Sequence, residues 1–208
     1  MIAYLRDPEE IYQKSFATIR AEADLSQLPE VAHGIAVRMI HASGMTDLPD
    51  SLRVDPRLPH AVREALARTG TVLVDSEMVQ AGIIRRTLPR GVETVCTLNT
   101  PEARDIGLAR RTTRSAAAVS LWAPHLSGSV VVIGNAPTAL FALLELIDGG
   151  ASPPAAIIAM PVGFVGAVEA KEELAANPRG IPYVTLLGRR GGSAMASAAF
   201  NACTVEER

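Results

Sequence analysis

The sequence predicts an α/β fold: three layers, with a mostly parallel sheet of about five strands, helices on both faces, and a helical N-terminal segment. Three observations carry this. After Gly70, short β-branched and aliphatic runs alternate with helical patterns five times. Hydrophobic residues make up 48% of the chain and aromatics only 4%, so Ala, Val, Leu and Ile must build the core, which suits helices on a buried parallel sheet. With 208 residues, the chain is of a size that buries roughly 70% of its unfolded surface without a metal or disulfide. It reads as one domain over residues 1–208, with no internal repeat, low-complexity segment or linker.

The helical segment comes first. In "RDPEEIYQKSFATIRAEADL", Asp7 suits the N-cap, Pro8 the first turn, and Glu9 and Glu10 the positive end of the helix dipole. "LPEVAHGIAVRMIHASG" starts at Pro29 and stops at Gly44. "LPHAVREALARTG" repeats that pattern from Pro59 to Gly70, and residues 50–59 between them are the most loop-like interior stretch. The strands follow as "TVLVD" (71–75), "ETVCTL" (93–98), "SVVVIG" (129–134), "AAIIAM" (155–160) and "YVTLLG" (183–188). Between them run the helical stretches "SEMVQAG", "TPEARDIGLARR" leading to "TRSAAAVSLWAPHL", "APTALFALLELIDGG" and "VGAVEAKEELAANP". A last helix begins near "GGSAMASAAFNA". Such crossovers are right-handed and cover both faces of the sheet.

Composition narrows the function. A net charge of -2 without a basic tail argues against nucleic acid as a partner. Cys96 and Cys203 are far apart, have no metal-ligand spacing, and read as thiols of a reducing compartment. No apolar run approaches the ~20 residues needed to cross a bilayer, so no membrane role is expected. "MIAYLRDPEE" lacks the features of a secretory signal, and a cytoplasmic location is expected.

Ligands of open α/β sheets bind at the carboxyl ends of the strands. Two turns there, "VVVIGNAPTALF" and "LLGRRGGSAMAS", offer Gly and free N–H groups at helix starts, which suit an anion or merely a tight turn. Neither fits GxGxxG or GxxxxGK[ST], so a nucleotide site is poorly supported. Arginines Arg38, Arg85, Arg86, Arg110, Arg111, Arg114, Arg189 and Arg190 dominate the cations, against Lys14 and Lys171. Arginine suits planar recognition of carboxylates or phosphates, although solvated faces also use it. If one helix continued through Thr112 and Thr113, Arg110 and Arg114 would lie one turn apart.

Of the four histidines, His33, His60 and His125 read as surface or capping residues. No HExxH and no neighbouring Cys points to zinc, and no metal is expected. His41 stands three positions after Arg38, so the two share a helix face, and an imidazole titrates near neutrality. It is either a proton-transfer group or a helix-end hydrogen-bonding residue. Asp75 and Glu77 in "VDSEM" form either a carboxylate pair or helix caps.

Further stretches share a pattern: "IYQKSFATIRAEADL", "VRMIHASG", "DSEMVQAGI", "TRSAAAVSLW", "VVIGNAPTALFALLELI" and "AIIAMPVGFVGAVEAKEELAANPRGIPYVTLLGRRGGSAMASAAFNA". With these the chain resembles the precorrin-8X methylmutases of cobalamin biosynthesis from about Tyr4 to Asn201, "GNAPTALF" and "MPVGFVGAVEAKE" being the most specific pieces. The resemblance implies an isomerase that moves a methyl group from carbon 11 to carbon 12 of precorrin-8X, giving hydrogenobyrinic acid without a cofactor. It implies His41 as the catalytic proton donor or acceptor, and Ser15, Arg38 and Arg114 as substrate contacts, with Asn135 and Ser193 as further polar contacts. It also implies a corrinoid ligand, a homodimer with sites near the subunit interface, and handover to neighbouring pathway enzymes. Relatives carry Thr after the "EM" motif where this chain has Ile83 and Ile84, so no role transfers there. Other readings are a non-catalytic corrinoid-binding protein on the same scaffold, the cobalt-precorrin-8 enzyme of the anaerobic route, or a nucleotide-dependent enzyme.

Overall fold

All five expected strands form: β2 (Thr71–Val74), β3 (Glu93–Cys96), β4 (Val130–Ile133), β5 (Ala156–Ala159) and β6 (Tyr183–Leu186). A sixth, β1 (Leu52–Val54), lies in the stretch expected to be loop. It has only three residues between Pro49 and Pro56, too few to reveal a period. The computed structural model describes Ile2 and residues 4–205. Its sheet runs β1-β6-β5-β4-β2-β3, with β1 antiparallel to β6 at one edge and every other pair parallel.

Alternation within the strands assigns each face to its layer. Val72, Val74, Val130, Val132 and Ile158 face one layer, while Leu73, Val131, Ile133 and Ile157 face the other. The first layer holds α1 (Pro8–Glu22), α2 (His33–Ser43), α3 (Leu58–Arg68), α4 (Glu77–Gly82) and α10 (Ser193–Thr204). The second is built on α6 (Arg114–Ser120), α7 (Ala123–Leu126), α8 (Pro137–Asp148) and α9 (Ala167–Ala176), with α5 (Pro101–Arg110) packed on α6. Trp122 is fully buried there, and its indole N–H donates to Thr97 Oγ1 at 3.0 Å.

Local signals set the ends. Asp7 caps α1 by accepting from the Glu10 N–H at 2.8 Å. Gly44, at φ 72°, ends α2 in the left-handed region that favours glycine. Arg110 and Arg114 do not share a helix: Arg111 turns to φ 52° and Thr113 caps a new helix by accepting from the Ala116 N–H. The Thr113 hydroxyl makes this break, since at a cap it competes with helical bonding.

The chain passes from β2 out to β3 and returns to the other side of β2 as β4, so the crevice between the ends of β2 and β4 is the switch point where α/β ligands bind. Here the protein occupies it with its own side chain. Buried Asp75 accepts the backbone N–H groups of Gly134, Asn135 and Ala136, each at 2.9 Å. Burial pushes this carboxyl above the usual range, against the pull of the three N–H bonds. The "GNAPT" turn is therefore no open anion site.

The adjoining turns are tied in the same way. Lys171 on α9 is fully buried and donates to the Arg190 carbonyl at 2.7 Å, while the Gly192 N–H donates to Met160 O at 2.8 Å. A side chain at Gly134 would meet Ser193 Cα at 2.7 Å, so only glycine lets β4 approach the start of α10 this closely.

Asp75→Ala orphans three N–H groups and is expected to lower unfolding free energy by about 2–4 kcal/mol, read by urea denaturation. Burial also pushes the Lys171 ammonium down to about 8, against roughly 10.4 in an unfolded chain. The unfolded state therefore binds more protons between those values, and this group's contribution to stability rises with pH there. Relative to Lys171→Met, the unmodified protein is expected to gain stability from pH 8 to pH 10, and a pH-independent difference in urea midpoints would contradict it.

Candidate active site

α1 and α2 lie side by side, and two expected site residues, Ser15 and His41, meet between them. Ser15 Oγ is 3.0 Å from His41 Nδ1. Ser15 sits mid-helix on α1, and His41 in the last turn of α2, just before Gly44. α2 buries Ile35, Ala36, Val37, Met39 and Ile40 against the core. This leaves Arg38 half-buried and His41 exposed on the side facing α1. The Phe16 ring lies against His41 with centroids 5.2 Å apart, and Tyr12 stacks on Phe16 at 4.2 Å. Tyr12, Ser15 and Phe16 share a face because they are three or four residues apart on a helix.

A groove runs along each side of α1. One, of about 430 Å³, is lined by Ser15, Thr18, Ile40, His41, Gly44 and Thr46. The other, of about 500 Å³, is lined by Tyr12, Gln13, Phe16, Arg20, Gly34 and Arg38. His41 and Arg38 thus face neighbouring grooves, separated by the Tyr12–Phe16 stack. The Ser15 hydroxyl can donate to Nδ1 or accept from it, so it serves either neutral tautomer of the ring. Nε2 is left for a ligand: as a donor in one tautomer and an acceptor in the other.

The end of α2 is anchored to the carboxyl edge of the sheet. Arg190, in the turn after β6, donates through Nη1 to both carboxylate oxygens of Asp47, at 2.8 and 2.9 Å. Lys171 holds the same residue's carbonyl, so Arg190 is fixed at backbone and side chain. Ser43, two residues after His41, donates to Met39 O at 2.8 Å and is occupied inside the helix.

The remaining expected residues lie elsewhere. Arg114 is exposed at the start of α6 in the opposite layer, lining a depression of about 370 Å³ with Asn99, Thr100, Arg104 and Asp105. Asn135 is exposed at the end of β4, its N–H held by Asp75. Ser193 is buried, its hydroxyl 3.3 Å from Ser76 Oγ. None of the three lines either groove beside α1. Ile83 is buried, and the Ile84 N–H donates to Asn201 Oδ1 at 3.0 Å, which accounts for this segment by packing. His33 bonds Leu28 O and His60 lies beside Glu64, as surface and capping residues do.

Sequence reasoning passed over Arg20, which lines the Arg38 groove and lies on the same face of α1 as Tyr12, Gln13 and Phe16. The signal was its spacing, four after Phe16 and eight after Tyr12. It also passed over the structural duty of Lys171, which nothing short of burial distinguishes. No helix among the described residues is long and apolar enough to cross a membrane.

Comparison with known proteins places the chain in a family. The family model for precorrin-8X methylmutase matches residues 10–206. The precorrin-8X methylmutase of Pseudomonas aeruginosa is 54% identical, over 99% of this chain and 99% of that protein. That of a Sinorhizobium species is 50% identical, over 95% of this chain and 94% of its own. The cobalt-precorrin-8 methylmutase of Priestia megaterium is 33% identical, over 95% and 88%. A solved precorrin-8X methylmutase structure from Thermus thermophilus superposes with a TM-score of 0.83 at 34% identity, covering 94% of each chain. With the match spanning residues 10–206 and 54% identity over 99% of the chain, the chain belongs to the precorrin-8X methylmutase family.

Proposed function

We propose that this protein converts precorrin-8X to hydrogenobyrinic acid by moving a methyl group from carbon 11 to carbon 12, and that His41 is its proton donor and acceptor. The observation that carries the histidine assignment is the Ser15–His41 contact at the mouth of a groove. The step is intramolecular: the methyl bond to carbon 11 breaks as the bond to carbon 12 forms, with no net redox change and no added group. A proton or hydrogen bond from Nε2 to the ring nitrogen beside the migrating centre draws electron density from the conjugated system. That eases a 1,5-sigmatropic shift, with general acid assistance typically worth ~10²–10⁴-fold. When the ring starts as imidazolium, Nδ1–H donates to the Ser15 oxygen both before and after Nε2 gives up its proton, so the imidazole gives the proton and takes it back without losing its tether. Holding the ring in a reactive shape supplies the remainder.

The substrate is a broad macrocycle fringed by carboxylates. Arg38 has no ion-pair partner among the described residues and opens on the groove beside His41, as a fringe-holding residue must. Arg114 stands in the opposite layer, so its contact with the same ring calls for a second copy. A homodimer with sites near the interface meets that need. Asn135 and Ser193 fit less well: one offers an exposed amide at the sheet edge, the other is buried. The metal-free substrate is favoured because two relatives named for it are 50–54% identical, while six named for cobalt-precorrin-8 are 29–36% identical. We place the protein in the cytoplasm as a single domain over residues 1–208, passing product to neighbouring enzymes of the pathway.

His41→Ala is expected to abolish the appearance of the corrin chromophore from precorrin-8X while leaving product affinity within about tenfold, ~1.4 kcal/mol. Normal turnover by that variant would sink the histidine assignment and favour a pure corrinoid carrier. Arg38→Ala is expected to weaken product binding by about tenfold or more while changing unfolding free energy by under about 1 kcal/mol. A variant that unfolds without loss of affinity makes Arg38 structural.

A further inference from the structure

We infer that Arg20 is a second carboxylate-binding residue of the site, gripping a side-chain carboxylate of the macrocycle next to the one held by Arg38; this rests on the methylmutase reading above. Arg20 lies in the last turn of α1, and Arg38 on α2, and both line the same groove of about 500 Å³. The two arginines come from different helices, so their convergence is a product of the α1–α2 packing rather than of one helix face. Among the described residues, neither guanidinium has an ion-pair or hydrogen-bond partner, whereas Arg57, Arg68, Arg179 and Arg190 all do.

The groove's other charged residue does not cancel them. Glu9 lines the far end, and its Oε1 accepts from Gln13 Nε2 at 3.0 Å. The wall between is apolar, formed by Tyr12, Phe16, Val37 and Ala202. Two forked cations over an aromatic wall suit a flat, conjugated ligand carrying more than one carboxylate, because guanidinium and carboxylate match in plane and spacing. Phe16 also lies against the His41 ring, so a macrocycle gripped at Arg20 and Arg38 meets the imidazole by reaching across the Tyr12–Phe16 stack.

The test uses the full-length protein, with hydrogenobyrinic acid as the probe, followed by its absorbance. Arg20→Gln is expected to weaken binding about tenfold and to flatten the fall of affinity with added salt, since one cation–carboxylate contact is gone. Arg20→Lys is expected to restore part of the affinity and most of the salt dependence, and the melting temperature of both variants should match that of the parent. Affinity within twofold of the parent in Arg20→Gln, or a loss that Lys does not rescue with the salt dependence unchanged, overturns the assignment. If the parent protein binds and converts corrinoid while Arg20→Gln is unaffected, only this assignment fails. If the parent neither binds nor converts it, the methylmutase reading fails and this assignment with it.

Discussion

A buried carboxylate at the end of β2 governs the carboxyl edge of the sheet. Asp75 sits at the topological switch point and takes up the three N–H groups that the turn after β4 would otherwise offer to a ligand. An anion cannot share that turn without displacing a covalently attached rival at very high effective concentration. The edge thereby becomes a scaffold. Lys171 fixes the turn after β6, Arg190 carries that turn to Asp47, and Asp47 follows the end of α2. The helix bearing His41 is thus positioned from the sheet edge, while chemistry is left to its outer face.

This division explains the placement of polar groups. Those at the edge are spent on one another: Asp75 on backbone amides, Lys171 on a carbonyl, and Ser193 beside Ser76. Those between α1 and α2 are left unspent. Arg20 and Arg38 lack acidic partners among the described residues, and His41 has one ring nitrogen engaged. A ligand with many carboxylates and a ring nitrogen is complementary to that remainder.

Much of the fold was legible because its periods are clean. The inner strands β2, β4, β5 and β6 are buried on both faces and read as short apolar runs, the edge strand β3 is only half-buried, and Asp7 and Gly44 mark helix ends by familiar capping chemistry. β1 was not legible: a three-residue edge strand is defined by its partner Leu186 rather than by its own pattern. The break between α5 and α6 was hidden because Arg111 reaches the left-handed region without a glycine to announce it. At the site, helical spacing put Arg38 and His41 on one face, but linking His41 to Ser15 required a tertiary contact across 26 residues, which no local pattern encodes. Family likeness supplied that link. The role of Asp75 was legible only as an alternative between carboxylate pair and cap, because its partners lie 59 to 61 residues away.

The modest anchorage of α1 gives the site a thermodynamic character of its own. This fifteen-residue helix buries only Ile19 and rests mainly on α2. Elements with so little buried apolar surface open at free energies well below that of global unfolding. The wall of both grooves is therefore among the cheaper parts of the molecule to move, which admits a ligand too wide for a fixed slit. A macrocycle touching both helices closes that fluctuation by mass action, and part of its intrinsic affinity goes into holding the helix down.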